Sequence, residues 1–177
     1  MDFLELAKTR YSARKYDEKK VEADKLEKIL EAARVAPSGG NKQPVKLLVL
    51  QNAESVEKVA KATDTYAPAV FHAPLVIIAC GDRNTAGVLP FNNKSVIDID
   101  VSIATDHMMM EATSLGLGSV WIGAFDPVII SHEFNLPDYI EPINILAVGY
   151  IAGEPASPNR HENTRKTMSE ILFFAEE

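Results

Sequence analysis

A short basic segment near the start of the chain carries residue types that bind phosphate. Arg10, Ser12 and Arg14 alternate with Tyr11 and Ala13, so an extended backbone would point the first three to one side and the other two to the opposite side. Guanidinium groups form charge-assisted hydrogen bonds to phosphate, and a hydroxyl with nearby backbone N–H groups can complete the site. The alternative is a solvated basic turn, which the segment taken alone favours.

A second candidate is the loop PSGGNKQP, Pro37–Pro44. Its two adjacent glycines would let the backbone approach a flat ligand closely. The amides of Asn41 and Gln43 can donate and accept hydrogen bonds at the edge of a heterocycle. The alternative is an ordinary connection between a helix and a strand, and no phosphate-binding G-x-x-x-x-G-K-[ST] signature is present.

A third candidate is GLGSVWIGAF, Gly116–Phe125. A dinucleotide-binding G-x-G-x-x-G pattern is excluded because Trp121 stands where the third glycine would be. The alternative here is a helix cap that leads into a strand. The four histidines have no metal-ligand spacing, no nucleophile elbow occurs, and Cys80 ends an apolar run, which favours an inert buried thiol.

These segments must be positioned by alternating helices and short apolar strands, which predict an α/β or α+β fold around a central sheet. The predicted helices are Val21–Ala36, Ala53–Ala62 and Val101–Leu115, and the predicted strands are Val45–Leu50, Pro74–Cys80, Ser119–Ile122 and Ile143–Tyr150. We expect Gly81 to stop the second strand. The third helix is apolar on most sides, which predicts burial all round, at a domain centre or a subunit interface. The apolar end, Ile171–Ala175, should dock on another surface, such as a second subunit.

Composition narrows the function classes. The 177 residues predict one domain, 1–177, and the formal net charge of -7 argues against a general binder of nucleic acids or anionic membranes. Neither a signal peptide nor a membrane span is evident. The single cysteine fits a reducing compartment, so we expect a soluble cytoplasmic protein.

Taken together, the motifs resemble the nitroreductase family of flavin-dependent NAD(P)H oxidoreductases over nearly the whole chain. The matching pieces, in the family's order, are Arg10–Arg14, Ala36–Ser38 with Asn41, Gln43 and Pro44, Asp100–Ala104, Leu115–Gly118, Trp121–Phe125, Leu146–Tyr150 and Arg165–Lys166. One departure is Tyr66–Ala69, which offers a flavin only backbone groups where relatives often have a polar side chain.

The resemblance implies an α+β fold with a mainly antiparallel sheet flanked by helices. It also implies a homodimer with a domain-swapped C-terminal segment and FMN at the subunit interface. The residues that it assigns to the cofactor are Arg10, Tyr11, Ser12, Arg14, Pro37, Ser38, Gly39, Asn41, Ile122, Gly123, Ala124, and Arg165 or Lys166. Among these, Pro37, Ser38 and Gly39 would come from the other subunit.

The implied reaction is ping-pong. NADH or NADPH reduces the flavin and leaves, and a nitroaromatic, a quinone or a similar small acceptor is then reduced. The flavin carries the chemistry, so no protein nucleophile, general base or metal is expected. The alternative is an FMN-binding or storage protein with little turnover.

Overall fold

The computed structural model describes residues 1–63, 70 and 72–175. Its helices are α1 (Phe3–Thr9), α2 (Ala23–Val35), α3 (Ala53–Ala60), α4 (Ile97–Ser114), α5 (Pro127–Glu133), α6 (His161–Thr164) and α7 (Met168–Ile171). Its strands are β1 (Val45–Leu50), β2 (Leu75–Asp82), β3 (Gly118–Ile122) and β4 (Ile140–Gly149), and short 3₁₀ turns span Gly39–Asn41 and Pro158–Arg160.

The four strands form one antiparallel sheet in the order β1-β2-β4-β3. Strand β2 is buried along its whole length because it lies between β1 and β4 and is covered on both faces. In the register of the sheet, Ile77 is opposite Leu146 and Gly118 is opposite Gly149. The mainly antiparallel α+β fold is thereby confirmed.

Two hydrophobic clusters cover the two faces of the sheet. On one face, α4 and α2 contribute Val101, Met108 and Ile29. On the other face, α3 and α5 pack against the sheet together with Ala13 and Tyr16 from the basic N-terminal segment. That segment is thus built into the core and is more than a surface turn.

Several predicted boundaries differ from the observed ones by one to four residues; β4, for instance, begins at Ile140 instead of Ile143. One contact accounts for two of these differences. Strand β2 continues through Gly81 to Asp82, and helix α4 begins at Ile97 instead of Val101. A Cβ on Gly81 would lie 2.3 Å from the Ile97 side chain. The glycine therefore allows the helix to start directly against the strand, where a side chain would push it away.

Helix α4 is not buried all round within one chain. Its sheet-facing side chains are buried, whereas Ile99 is 52% exposed. The opposite side borders a depression of about 640 Å³ lined by Ile99, Ser102, Ile103 and Trp121, among others. Burial of this side in a subunit interface, the other alternative, stays a prediction.

The C-terminal segment leaves its apolar side chains uncovered in the single chain. Ile171 and Leu172 are partly exposed, and Phe173 is 97% exposed. What they dock on, and the domain swap, stay predictions. Among the described residues, no helix has the length and apolar character of a membrane span.

Candidate functional site

The basic segment Arg10–Tyr16 runs beside the edge strand β3. Ser12 forms a parallel bridge with Ser119, whose carbonyl accepts a hydrogen bond of 2.9 Å from the Ala13 N–H. The Tyr16 hydroxyl donates to the carbonyls of Ala13 (2.7 Å) and Ala147 (3.2 Å). These bonds fix the extended backbone, and the side chains of Tyr11 and Ala13 pack into the core as the alternation predicted.

Arg10 lies half-buried among other guanidinium groups. Burial lowers the pKa of Arg10, and the nearby charges of Arg160 and Arg165 lower it further, while Asp106 opposes them. No ion pair within 4.0 Å neutralises Arg10, Arg160 or Arg165 in the described part of the chain. Three neighbouring guanidinium groups with no ion-paired carboxylate among the described residues favour the binding of an anionic ligand.

Arg160 was missed by the sequence analysis. Its guanidinium donates to the carbonyls of Lys8 (3.0 Å) and Ser157 (2.9 Å), and also to that of Arg10. It thereby joins the C-terminal segment to the end of α1 and to the basic segment. Only a contact between residues 150 positions apart reveals this role, and no local pattern around Arg160 could have signalled it.

The two C-terminal candidates differ in what the structure shows for them. Both side chains are exposed, but Arg165 lies close enough to Arg10 to depress its pKa, whereas Lys166 has no comparable interaction with Arg10. Arg14 is exposed and donates through Nη1 to the carbonyl of Ser12 at 3.2 Å. The geometry therefore favours Arg165 over Lys166 as the C-terminal member of the cationic cluster.

The loop after α2 is a tight, preformed turn. Gly40, Asn41 and Gln43 adopt left-handed backbone angles, with φ of 58°, 57° and 51°. The Ser38 hydroxyl accepts the Gln43 N–H at 2.9 Å, and the Gln43 amide donates to the carbonyl of Asn41 at 3.1 Å. Left-handed residues other than glycine cost free energy and cluster at functional sites. Pro37, Gly39 and Asn41 are exposed, so this turn could cover a ligand.

The residues that follow β3 present backbone groups to solvent. The Ile122 side chain is buried, so this residue could offer a ligand only its backbone. Gly123 and Ala124 are exposed, and their N–H groups donate no hydrogen bond within the described residues. Two free donors at the end of a strand suit the polar edge of a ring system.

The chain brings Arg10, Ser12 and Arg165 to one region and leaves the Pro37–Asn41 loop elsewhere. The Gly39 N–H is hydrogen-bonded to Asp100 on α4, whereas Arg10 is attracted electrostatically by Asp106 on the same helix. Six residues at 1.5 Å each separate these points by about 9 Å along the helix axis. No hydrogen bond joins the loop to the basic segment in the described ranges. The stretch Tyr66–Ala69, which is expected to offer a flavin only backbone groups, lies outside the described residues.

Comparison with known proteins gives consistent matches. The model of the nitroreductase family matches residues 7–65 and 62–150. A Methanothermobacter thermautotrophicus protein, provisionally named an NADH dehydrogenase/NAD(P)H nitroreductase, is 35% identical over 89% of this chain and 81% of its own length. The crystal structure of a nitroreductase family protein from Clostridium difficile 630 is 52% identical over 99% of both chains, with a TM-score of 0.93. A Desulfovibrio desulfuricans protein, provisionally named a nitroreductase and crystallised in complex with FMN, is 25% identical over 99% of this chain and 98% of its own, with a TM-score of 0.79.

Proposed function

This chain belongs to the nitroreductase family, and we propose that it is an FMN-dependent NAD(P)H oxidoreductase. The observation that carries this proposal is the cationic cluster of Arg10, Arg160 and Arg165 beside Ser12. When bound, FMN would supply the hydride chemistry. The overall reaction would transfer electrons from NADH or NADPH to a nitroaromatic, a quinone or a similar small acceptor in ping-pong order. The relative crystallised with FMN and the relative named for NAD(P)H support this assignment.

The donor set of the chain fits FMN. Arg10, Arg14 and Arg165 would hold the phosphate by charge-assisted hydrogen bonds, and the Ser12 hydroxyl would add one neutral bond. Since the side chains of Tyr11 and Ile122 are packed into the core, each would contribute backbone groups only. The N–H groups of Gly123 and Ala124 would donate to the polar edge of the isoalloxazine ring and favour negative charge there.

We propose further that the site is completed by a second copy of the chain. The absence of any hydrogen bond between the Pro37–Asn41 loop and the basic segment among the described residues supports this arrangement. The exposed side of α4 and the uncovered Phe173 and Phe174 supply apolar surface for such an interface. In this homodimer the loop of one subunit would cover the cofactor of the other, and the C-terminal segments would be exchanged.

The proposal treats residues 1–177 as one FMN-binding domain, because both hydrophobic clusters are built on the same four-stranded sheet. It places the enzyme in the cytoplasm, where reduced nicotinamide nucleotides are available and where the free thiol of Cys80 suits a reducing environment.

An absorption spectrum of the purified protein, repeated after anaerobic addition of NADH and then of NADPH, tests the proposal. We expect bound flavin that loses its visible absorbance with at least one nucleotide. Absence of flavin, together with failure to bind added FMN, would refute the cofactor assignment. Bound flavin that neither nucleotide bleaches would instead favour the FMN-storage alternative.

A further inference from the structure

A buried carboxylate lies at the base of the Pro37–Asn41 loop. Asp100 is 2% exposed, and its Oδ1 accepts a hydrogen bond of 2.8 Å from the Gly39 N–H. Its second oxygen, Oδ2, is buried without a hydrogen-bond partner among the described residues. Burial of a carboxylate that accepts only one hydrogen bond costs free energy. The contact between Asp100 and the loop therefore needs an explanation.

The start of α4 is suited to hold this charge. Asp100 is in the first turn, where the helix dipole stabilises a negative group. The Asp100 N–H donates to the carbonyl of Val96 at 3.0 Å, which closes the first turn of the helix. The carboxylate is therefore fixed by the helix, and Gly39 binds to an acceptor that cannot easily move.

The loop backbone packs directly on this helix turn. A Cβ on Gly39 would lie 3.0 Å from Cγ2 of Val96 and 3.6 Å from Oδ1 of Asp100. A Cβ on Gly87 would lie 3.6 Å from the Gly39 carbonyl oxygen and 3.1 Å from Cγ2 of Val96. The loop thus packs against both the start of α4 and the segment at Gly87, which contact each other.

Within residues 37–43 the remaining hydrogen bonds are internal, and the next attachment is at Pro44, whose carbonyl accepts the Asp82 N–H at 2.8 Å. The Asn41 N–H donates to the carbonyl of Ser38, the Lys42 N–H to that of Gly39, and the Gln43 N–H to the Ser38 hydroxyl. These bonds give the turn its shape but do not attach it to the rest of the molecule. Within the described part of residues 37–43, the bond from Gly39 to Asp100 is the one hydrogen bond that reaches another element.

We propose that Asp100 is the positioning residue that sets the Pro37–Asn41 loop for cofactor binding. This inference rests on the proposed function for the role of the loop, but the attachment itself can be tested without cofactor. Asp100 acts through Gly39 and does not itself bind the flavin. Asp24, of the same charge and in the first turn of helix α2, is exposed and provides a matched control away from the proposed interface.

The test compares Asp100→Ala, Asp100→Asn and Asp24→Ala in the full-length protein. Hydrogen–deuterium exchange of peptides covering residues 37–43 is measured without FMN, and the Kd for FMN is then measured by quenching of flavin fluorescence. Loss of a hydrogen bond to a charged acceptor predicts faster exchange in the loop and an FMN Kd raised about tenfold to hundredfold for Asp100→Ala. Asp100→Asn keeps an oxygen acceptor and should recover most of both properties, and Asp24→Ala should behave as wild type.

Wild-type exchange and affinity in Asp100→Ala would overturn the proposal, as would an Asn variant no better than the Ala variant. If Asp100→Ala does not fold, Asp100→Leu replaces it, since an apolar side chain removes the acceptor together with the buried charge. A wild-type protein that binds no FMN would refute the proposed function, whereas the exchange measurement would still decide whether Asp100 holds the loop.

Discussion

Gly118→Ala should move the basic segment away from β3 and weaken the proposed phosphate site. A Cβ on Gly118 would lie 2.8 Å from the Cβ of Ala13 and 2.5 Å from Cγ1 of Ile151. Carbon atoms in favourable contact are about 3.5–4.0 Å apart. The Ile151 side chain can rotate, but Ala13 has no rotatable side chain, so its backbone must retreat by about 0.7–1.2 Å.

The retreat strains hydrogen bonds on both sides of Ala13. Its N–H is bonded to Ser119 and its carbonyl to the Tyr16 hydroxyl. Overpacking of this kind costs about 1–3 kcal/mol, and the lower entropy of the unfolded chain returns about 0.4–1 kcal/mol. The two ranges leave a net loss of about 0–2.6 kcal/mol, and its midpoint near 1.3 kcal/mol lowers Tm by roughly 3–5 °C for a chain of this length.

Thermal unfolding of the FMN-free protein measures the stability change. A fluorescence titration measures the Kd for FMN, and this Kd should rise because Ser12 and Arg14 move with Ala13. Gly123→Ala is the control for stability, because a Cβ there meets no atom within 4 Å. Its Tm should stay close to that of wild type. A Gly118→Ala protein with wild-type Tm and FMN affinity would refute the argument that Gly118 sets the position of the basic segment.

Four further predictions follow from the same structure. Arg10→Ala should raise the Kd for FMN about tenfold to hundredfold, because charge-assisted phosphate bonds are lost. Hydrogen bonds from Lys19 and from Tyr150 lower the pKa of Glu22 to about 2. The stability that Glu22 contributes is therefore fully present above its unfolded pKa near 4.5 and is lost as pH falls through about 2. Urea unfolding across this pH range measures the loss of stability. Burial raises the pKa of the Cys80 thiol to about 12, so a thiol reagent should not label the folded protein. Dilution that separates the proposed dimer should release FMN, detected as a rise in flavin fluorescence.

Controls and contrary outcomes separate these predictions from nonspecific effects. Arg34→Ala removes an exposed arginine paired with Glu31 and should leave FMN affinity unchanged; an Arg10→Ala protein with wild-type affinity would rule out the phosphate assignment. Glu22→Gln should lose the acid-dependent part of the stability, and an unaltered pH profile would contradict the linkage. Cys80 should react once guanidinium unfolds the chain, and rapid labelling before unfolding would show that it is accessible. A monomer in light scattering that retains all its flavin would argue against a shared site.

Local pattern was sufficient wherever an element depends on its own neighbours. Strand Val45–Leu50 has the predicted limits, because a short apolar run between turn residues fits a buried strand. Helix α2 ends at Val35, just before the predicted Ala36, since Pro37 restricts the residue that precedes it. The alternation of the basic segment likewise placed Tyr11 and Ala13 on one side of the backbone, which in the structure is the side that packs against the core. The motif order further carried the resemblance to the nitroreductase family.

Long-range contacts set what the sequence could not. Helix α4 begins early because Gly81 accommodates Ile97 and because Asp100 is buried against Gly39, 61 residues before it. A polar Asp100 argues for an exposed position until its partner is known. Arg160 joins the cationic cluster through a contact across 150 residues. The sequence by itself identified the family and the main helices and strands that carry the motifs. Only the tertiary structure decided which charges converge and what holds the loop, because these depend on partners that folding alone brings together.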